Sequence, residues 1–260
     1  MSQETVKLHC DKTEVRVAPA RGAIVTGLTV GGKEVLYLDR ATLEDPSKNV
    51  RGGVPTLFPY AGKLDGGIFK PAGTEMKQHG FGRNSAWPVR EQNASRVRMR
   101  LEASAETRAV YPYGFVAEQS VWALPRGMQI EMHVANTGEK PLPVSPGWHP
   151  YFCCPGPQKP EVKGDVPGIS GDKLGNDVEF DFGVVAPASG RAHFAIPGLG
   201  RMSLSFEPRM RHLQVWSQPG KDFICLEPFW GPNNTVNTER RDEVPPGASR
   251  TYWMRVELED

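Results

Sequence analysis

Residues 96–102 read RVRMRLE, and residues 128–134 read MQIEMHV. In both stretches an apolar residue alternates with a polar one, which is the period of a β-strand with one buried face. In the first stretch Val97, Met99 and Leu101 share one face, and arginines occupy the other. One apolar face and one solvated face are typical of an antiparallel sheet. These stretches therefore predict an all-β fold.

The same alternation recurs towards both ends of the chain, in residues 6–10, 192–196, 202–206, 213–215 and 252–258. Residues 23–30 and 33–38, separated by Gly31-Gly32, predict a hairpin with a two-residue turn. No long stretch has the spacing of an amphipathic helix. We expect one domain over residues 1–260, built as a large antiparallel β-structure.

The overall composition narrows the function classes. The 260 residues include 28 glycines and 24 prolines, which favours many short strands joined by turns, and the net charge is +1. A chain without a basic surplus is not expected to bind nucleic acid or an anionic membrane. The four cysteines lack a CxxC spacing, and the N-terminus lacks the apolar core of a signal peptide. We expect a cytoplasmic protein, a monomer or weak homodimer, without a metal.

Residues 40–83 form a long irregular segment that is rich in glycine and proline. It contains Arg51, Lys63, His79 and Arg83. Long loops on a rigid scaffold often carry binding sites, so this segment is a candidate. The alternative is a surface connection whose charges keep the protein soluble.

A second candidate lies in GWHPYF, residues 147–152. Pro150 biases His149 towards an extended or turn backbone, and three aromatic residues surround the imidazole in sequence. His149 could be an acid that faces a ligand, or a core histidine satisfied by the backbone.

A third candidate is FICLEPFW, residues 223–230, a continuous apolar run that predicts a strand buried on both faces. Glu227 lies in this run, and a buried carboxylate is costly unless it is paired or used. It is either a functional carboxylate or a structural one bonded to arginine or to the backbone.

The remaining histidines and the aspartates of residues 155–190 give weaker signals. His9, His133, His193 and His212 fall on the polar phase of predicted strands. Residues 155–190 are predicted to be rich in turns. Of the four aspartates there, Asp165, Asp172, Asp177 and Asp181, Asp172 is the candidate ligand.

Five motifs in order resemble the aldose 1-epimerase (galactose mutarotase-like) family. They are GGVPTLFPYAGKL (52–64), QHGFGRNSAWPV (78–89), GWHPYF (147–152), CLEPFWGP (225–232) and PPG (245–247). The resemblance runs from about the first hairpin to the last strand. It implies a large antiparallel β-sandwich, the galactose mutarotase-like supersandwich, with the sugar site on a concave face.

The resemblance also implies roles for individual residues. Glu227 takes the place of the general base, and His149 that of the acid near the ring oxygen. His79 is a second imidazole at the sugar, and Arg83 follows it. Arg51 lies where hexose-phosphate relatives carry an arginine, and two arginines help to bind phosphate in those relatives.

These roles predict an isomerase that interconverts the α and β anomers of a hexose, with no organic cofactor. The partner would be a small sugar or sugar phosphate. Ordinary pKa values of about 4.3 and 6.5 would leave Glu227 ionised and His149 about a quarter protonated at pH 7. A nearby carboxylate would raise the pKa of the imidazole. Trp148, Tyr151, Phe229 and Trp230 could stack on the sugar or pack in the core.

Four other functions remain open. Arg51 and Arg83 could form the phosphate clamp of a hexose-6-phosphate mutarotase. The protein could be a non-catalytic carbohydrate-binding module. A glycoside hydrolase would need two carboxylates about 5–10 Å apart. A metal site could be built from His79, His149 and Glu227, although no HxH or HExxH spacing supports it.

Overall fold

Strands dominate the regular structure of the computed structural model, which describes residues 5–166, 168–169 and 174–259. The first eleven are β1 Val6–Cys10, β2 Thr13–Ala18, β3 Ile24–Val30, β4 Lys33–Glu34, β5 Thr56–Leu57, β6 Ile68–Phe69, β7 Thr74–Glu75, β8 Val89–Gln92, β9 Arg96–Glu102, β10 Phe115–Leu124 and β11 Gly127–Asn136. The others are β12 Leu142–Val144, β13 Gly147–Trp148, β14 Tyr151–Cys153, β15 Lys163–Gly164, β16 Phe180–Val185, β17 Arg191–Ile196, β18 Gly200–Phe206, β19 His212–Ser217, β20 Phe223–Phe229, β21 Asp242–Val244 and β22 Ser249–Leu258.

The helices of the described residues are short. They are α1 Arg40–Glu44 and α2 Ala105–Val110, together with 3-10 turns at Pro19–Arg21, Asp65–Gly67, Gly82–Asn84, Gly156–Glu161 and Thr235–Asn237. None of these helices has the length and apolar character that a membrane crossing requires. The predicted all-β class is confirmed.

The strands form three large antiparallel sheets. One has four strands in the order β1-β2-β3-β4, and one has eight in the order β15-β17-β18-β22-β11-β10-β9-β8. The third has the order β16-β19-β20-β13-β5, with β14 also paired to β20. Two-stranded pairs β12-β21 and β6-β7 complete the pairing among the described strands.

The core lies between the eight-stranded sheet and the other two. Phe152 on β14 packs against Phe194 on β17, with ring centroids 5.2 Å apart. Thr56 on β5 donates a hydrogen bond to the side-chain oxygen of Gln119 on β10 at 2.9 Å. One continuous apolar cluster runs from Val6 to Leu258. The sheets therefore pack face to face as a sandwich, and the alternating residues supply its inner faces.

Two local predictions have different outcomes. The Gly31-Gly32 hairpin is confirmed, because both glycines have positive φ values of 56° and 83° and join β3 to β4. The prediction that residues 155–190 are rich in turns is wrong for β16. There Phe180, Phe182 and Val184 alternate with more exposed residues and pair with β19, so strand pairing outweighs the local excess of turn formers.

Candidate active site

Five of the six predicted ligand-facing residues line one cavity on the six-stranded sheet. They are Arg51, His79, Arg83, His149 and Glu227. Eleven further residues line the cavity: Asn49, Gly62, Lys63, Gln78, Glu179, Asp181, Gln214, Trp216, Gln218, Phe229 and Asn233. The cavity volume is about 190 Å³. This is the scale of one monosaccharide.

Glu227 lies on β20, directly opposite Gln214 of β19. All seven residues of β20 are buried, as the apolar run predicted. Burial raises the pKa of the Glu227 carboxyl well above its usual value. The nearby Asp181 carboxylate raises this pKa further, whereas the Arg83 guanidinium opposes the rise. Glu227 is therefore a stronger base than an ordinary glutamate.

His149 occupies the turn between β13 and β14. Its Nε2 lies 3.3 Å from Glu227 Oε2, and its ring stacks on Tyr151 with centroids 4.6 Å apart. The edge of Trp216 approaches from another side, at 5.6 Å. Nδ1 is buried and has no hydrogen-bond partner among the described residues. The aromatic contacts therefore fix the orientation of the His149 ring, and in this orientation Nε2 lies next to the Glu227 carboxylate.

The expectation that a carboxylate would raise the pKa of His149 is wrong. The pKa is lowered well below its usual value, first by burial and then by Arg83 and Arg51. The sequence did not show that two arginines face the imidazole. The pKa shifts of Glu227 and His149 both favour the uncharged form of the group, because burial removes the water that would solvate its charge.

His79 presents a neutral imidazole to the cavity. The Gly62 N–H donates a hydrogen bond to its Nδ1 at 2.9 Å, so the ring proton is on Nε2. Burial, Arg83 and His149 lower its pKa, which agrees with the neutral state. The ring lies 5.8 Å from that of His149, centroid to centroid. The side-chain amide of Gln78 lies 3.0 Å from His79 Nε2, so a ligand beside His149 could accept from this N–H only by displacing Gln78.

Three cations line the same cavity: Arg51, Lys63 and Arg83. The Arg83 guanidinium donates to the backbone oxygen of Gln78 at 3.0 Å, and the Arg51 guanidinium lies 5.4 Å from the ring centroid of Trp216. Within the described residues, no carboxylate forms a salt bridge with any of the three cations. Their charge is thus available to a ligand.

Sequence reasoning chose Asp172 among the aspartates, and this residue lies outside the described part of the chain. Asp181 on β16 lines the cavity, and a hydrogen bond from the Gln214 amide holds its Oδ1. Glu179 lies nearby and accepts a hydrogen bond from the Trp216 indole N–H at 2.7 Å. The signal that was missed is the alternation in FDFGVV, residues 180–185. Interpreted as a strand, it places Asp181 on the face opposite to Phe180 and Phe182.

The aromatic residues were expected either to stack on the sugar or to pack in the core, and the structure contains examples of both positions. Phe229 lines the cavity, and so does Trp216, which the sequence did not single out. Trp148 is fully buried and donates its indole N–H to Gln119 Oε1 at 3.3 Å, so it belongs to the core. Trp230 packs edge-on against Tyr252, away from the cavity-lining residues.

One group of described side chains could supply metal ligands. It differs from the set of His79, His149 and Glu227 that the sequence suggested. His149, Cys225 and Glu227 place their ligand atoms within 4.8 Å of one another. Cys225 replaces His79 in this group. Burial raises the pKa of the Cys225 thiol well above its usual value, so a metal would have to displace its proton.

The model of the family described as Aldose 1-epimerase matches residues 4–257. The solved structure of the Slr1438 protein from Synechocystis sp. PCC 6803 is 33% identical, with a TM-score of 0.90 over 100% of this chain and 97% of that chain. The galactose mutarotase related enzyme from Lactobacillus acidophilus has the same fold at 16% identity, with a TM-score of 0.81 over 99% and 98% of the two chains. The expected galactose mutarotase-like sandwich is confirmed.

Two curated relatives, from Cenchrus ciliaris and Salmonella typhimurium, carry the name "Putative glucose-6-phosphate 1-epimerase". The first is 25% identical over 50% of this chain, and the second is 32% identical over 33% of it. The matched segments span only 41% and 28% of those two proteins.

Proposed function

The chain belongs to the aldose 1-epimerase family, and on that premise we propose that it interconverts the α and β anomers of a hexose. The observation that carries this proposal is the direct contact of Glu227 with His149 in a polar cavity of monosaccharide size. In this proposal Glu227 is the base and His149 the acid of ring opening.

The reaction moves two protons and breaks one bond. The Glu227 carboxylate takes the proton of the anomeric hydroxyl, O1, as the C1–O5 bond breaks and O1 becomes a carbonyl oxygen. The reactive form is the one in which the single proton that the pair shares is on His149, and His149 gives that proton to O5. Rotation about C1–C2 then presents the other face of the aldehyde. Ring closure returns the O5 proton to His149 and the Glu227 proton to O1, so the enzyme is unchanged.

The spacing of the pair suits this chemistry. O1 and O5 are both bonded to C1, so the acid and the base that serve them must be neighbours. The Nε2–Oε2 distance of 3.3 Å meets that requirement. A glycoside hydrolase instead separates two carboxyl groups by about 5–10 Å across the scissile bond.

The other cavity residues would hold the sugar. Asp181 would offer a carboxylate to a ring hydroxyl, and His79 would offer its Nε2–H to a sugar oxygen that displaces the Gln78 amide. Phe229 and Trp216 offer apolar surface to the C–H groups of the ring. Binding by several groups would fix C1 against the pair, which is how orientation lowers a barrier.

A hexose 6-phosphate is the second candidate substrate. The three cavity cations form no salt bridge with a carboxylate within the described residues, which favours a ligand with its own negative charge. Arginine forks match phosphate oxygens well, so Arg51 and Arg83 would bind the phosphate. The names of the two curated relatives point to the same substrate class.

Saturation-transfer NMR of anomer exchange tests the proposal, with galactose, glucose and glucose 6-phosphate measured side by side. Faster exchange of the free sugars supports the aldose 1-epimerase. Faster exchange of glucose 6-phosphate alone identifies a hexose 6-phosphate, the second candidate, as the substrate. Unchanged exchange of all three, with binding of any of them by calorimetry, would reject catalysis and leave a carbohydrate-binding module.

A further inference from the structure

Three adjacent strands place nine residues on the face that carries the cavity. Strand register groups them in three rows, each written in the order β16, β19, β20: Asp181-Trp216-Cys225, Gly183-Gln214-Glu227 and Val185-His212-Phe229. Residues opposite each other in an antiparallel sheet share a face and lie close together. His212 lies in the row next to that of Gln214 and Glu227, on the same face of the sheet. It is therefore a close neighbour of these two cavity residues.

A chain of hydrogen bonds follows this face from His212 into the cavity. His212 Nε2 lies 2.7 Å from Gln214 Oε1, and the Gln214 amide nitrogen donates to Asp181 Oδ1. An amide oxygen only accepts, so Nε2 of His212 must carry a proton. The Gln214 amide is then fixed with its NH₂ group towards Asp181. The Oδ1 of Asp181 accepts this bond, and its Oδ2 accepts none from the side chains that the structure describes.

Gly183 provides the space for this chain. A Cβ built on Gly183 would lie 2.1 Å from His212 Cε1 and 2.7 Å from Nε2. It would also lie 3.2 Å from Gln214 Oε1. Any side chain at this position would displace the imidazole or the amide. On the far side, the ring of Phe229 stacks on that of His212 with centroids 6.0 Å apart.

We infer that His212 is a positioning residue that fixes the Asp181 carboxylate for substrate binding through Gln214. This inference rests on the proposed function, in which Asp181 accepts a hydrogen bond from a sugar hydroxyl. Without the His212 donor only the bond to Asp181 holds the Gln214 amide. The amide and the carboxylate can then move together, and Asp181 is no longer held in one position for the substrate.

Two substitutions of His212 test the inference. His212→Phe keeps an aromatic ring beside Phe229 but removes the donor, and His212→Gln restores an N–H at similar reach. We expect His212→Phe to raise KM about tenfold, the scale of one hydrogen bond to a charged group, with kcat within about twofold of wild type. His212→Gln should recover most of the loss. A wild-type KM for His212→Phe, or equal KM values for the two variants, would overturn the inference.

A glycine pair provides a test that removes no polar group. Gly183→Ala should raise KM as His212→Phe does, because its Cβ enters the space of the imidazole. Gly175→Ala is the control, since no atom lies within 4 Å of the Cβ position at Gly175. Equal KM values for Gly183→Ala and wild type would contradict the inference. Thermal unfolding of both variants identifies a general loss of fold.

A nitrogen NMR measurement separates this inference from the proposed function. The ¹⁵N spectrum of His212 should show a protonated Nε2 in wild type, and Gln214→Ala should change that resonance. An unprotonated Nε2 in an active enzyme overturns the inference alone. If wild type exchanges no anomers, the proposed function fails. In that case the inference is tested by calorimetric titration of wild type and His212→Phe with the sugars. We expect the variant to bind about tenfold more weakly than wild type.

Discussion

Two of the three contacts between a histidine and a glutamate among the described residues, those of His149 and His193, differ in their surroundings. His149 Nε2 lies 3.3 Å from Glu227, and the two side chains are 8% and 2% exposed. His193 Nδ1 lies 2.8 Å from Glu259, and those side chains are 34% and 29% exposed. The outer pair has the shorter distance, whereas the inner pair lines the polar cavity and is shielded from water.

The difference shows that burial and neighbouring charges, rather than residue types or distance, make a pair suitable for acid–base chemistry. Water screens the outer pair, and Arg201 also shares Glu259 at 3.4 Å. The inner pair is desolvated and faces Arg83, and the pKa of Glu227 is raised while that of His149 is lowered. The outer pair therefore supplies matched control variants for each substitution of the inner pair.

The largest expected effect is that of Glu227→Gln. It removes the base while keeping the shape, so kcat for anomer exchange should fall by roughly 10²–10⁴-fold. Glu259→Gln makes the same chemical change in the outer pair and should leave kcat unchanged. Coupled-enzyme or NMR exchange assays check both variants, with melting curves as the folding control. If Glu227→Gln kept wild-type turnover, Glu227 would not be the base.

His149→Gln should have the next largest effect, a loss of about 10²-fold in kcat. The loss is expected at the lower end of the range because water or the Nε2–H of His79 can partly replace the donor. His193→Gln is the matched control and should exchange anomers at the wild-type rate. Similar rates for the two variants would remove the distinction between the pairs.

Arg83→Met should shift the pH profile of kcat/KM. The Arg83 charge lowers the pKa of both His149 and Glu227, so its removal raises both. A bell-shaped profile is expected because the pair must hold one proton, and both limbs should move to higher pH. Arg201→Met removes a largely exposed cation and should leave the profile in place. Limbs that stay fixed in Arg83→Met would show that Arg83 does not act on the pair.

The smallest expected effect concerns stability. Glu259→Gln should lower the free energy of unfolding by about 0.2–1 kcal/mol, which is typical of an exposed ion pair. Urea denaturation checks this value. A loss well above about 1 kcal/mol would mean that the outer pair is structurally important, and it would then be a poor control for the inner pair.

Much of the fold could be predicted from the sequence, since alternation is a local signal. The sequence predicted the strands around Val97 and Ile130 and the buried run at Glu227. It could do so because the spacing of apolar residues is visible within a single strand. The site was predictable only where a motif marked it, as for His79, Arg83, His149 and Glu227.

The remaining parts of the site depend on strand register, which local patterns do not give. Asp181, Gln214 and His212 meet only because β16 and β19 pair in one register. A shift of one residue would turn them to the other face. The fall in the pKa of His149 was missed for a similar reason, because its burial and the approach of Arg83 and Arg51 both depend on the tertiary structure.

A double-mutant cycle on the inner pair tests the central claim most directly. Anomer exchange is measured for wild type, Glu227→Gln, His149→Gln and the double variant, with the most reactive sugar. If the two residues act as one acid–base unit, the double variant should be no slower than the slower single variant. Losses that multiply would show that the residues act independently, and would contradict the account.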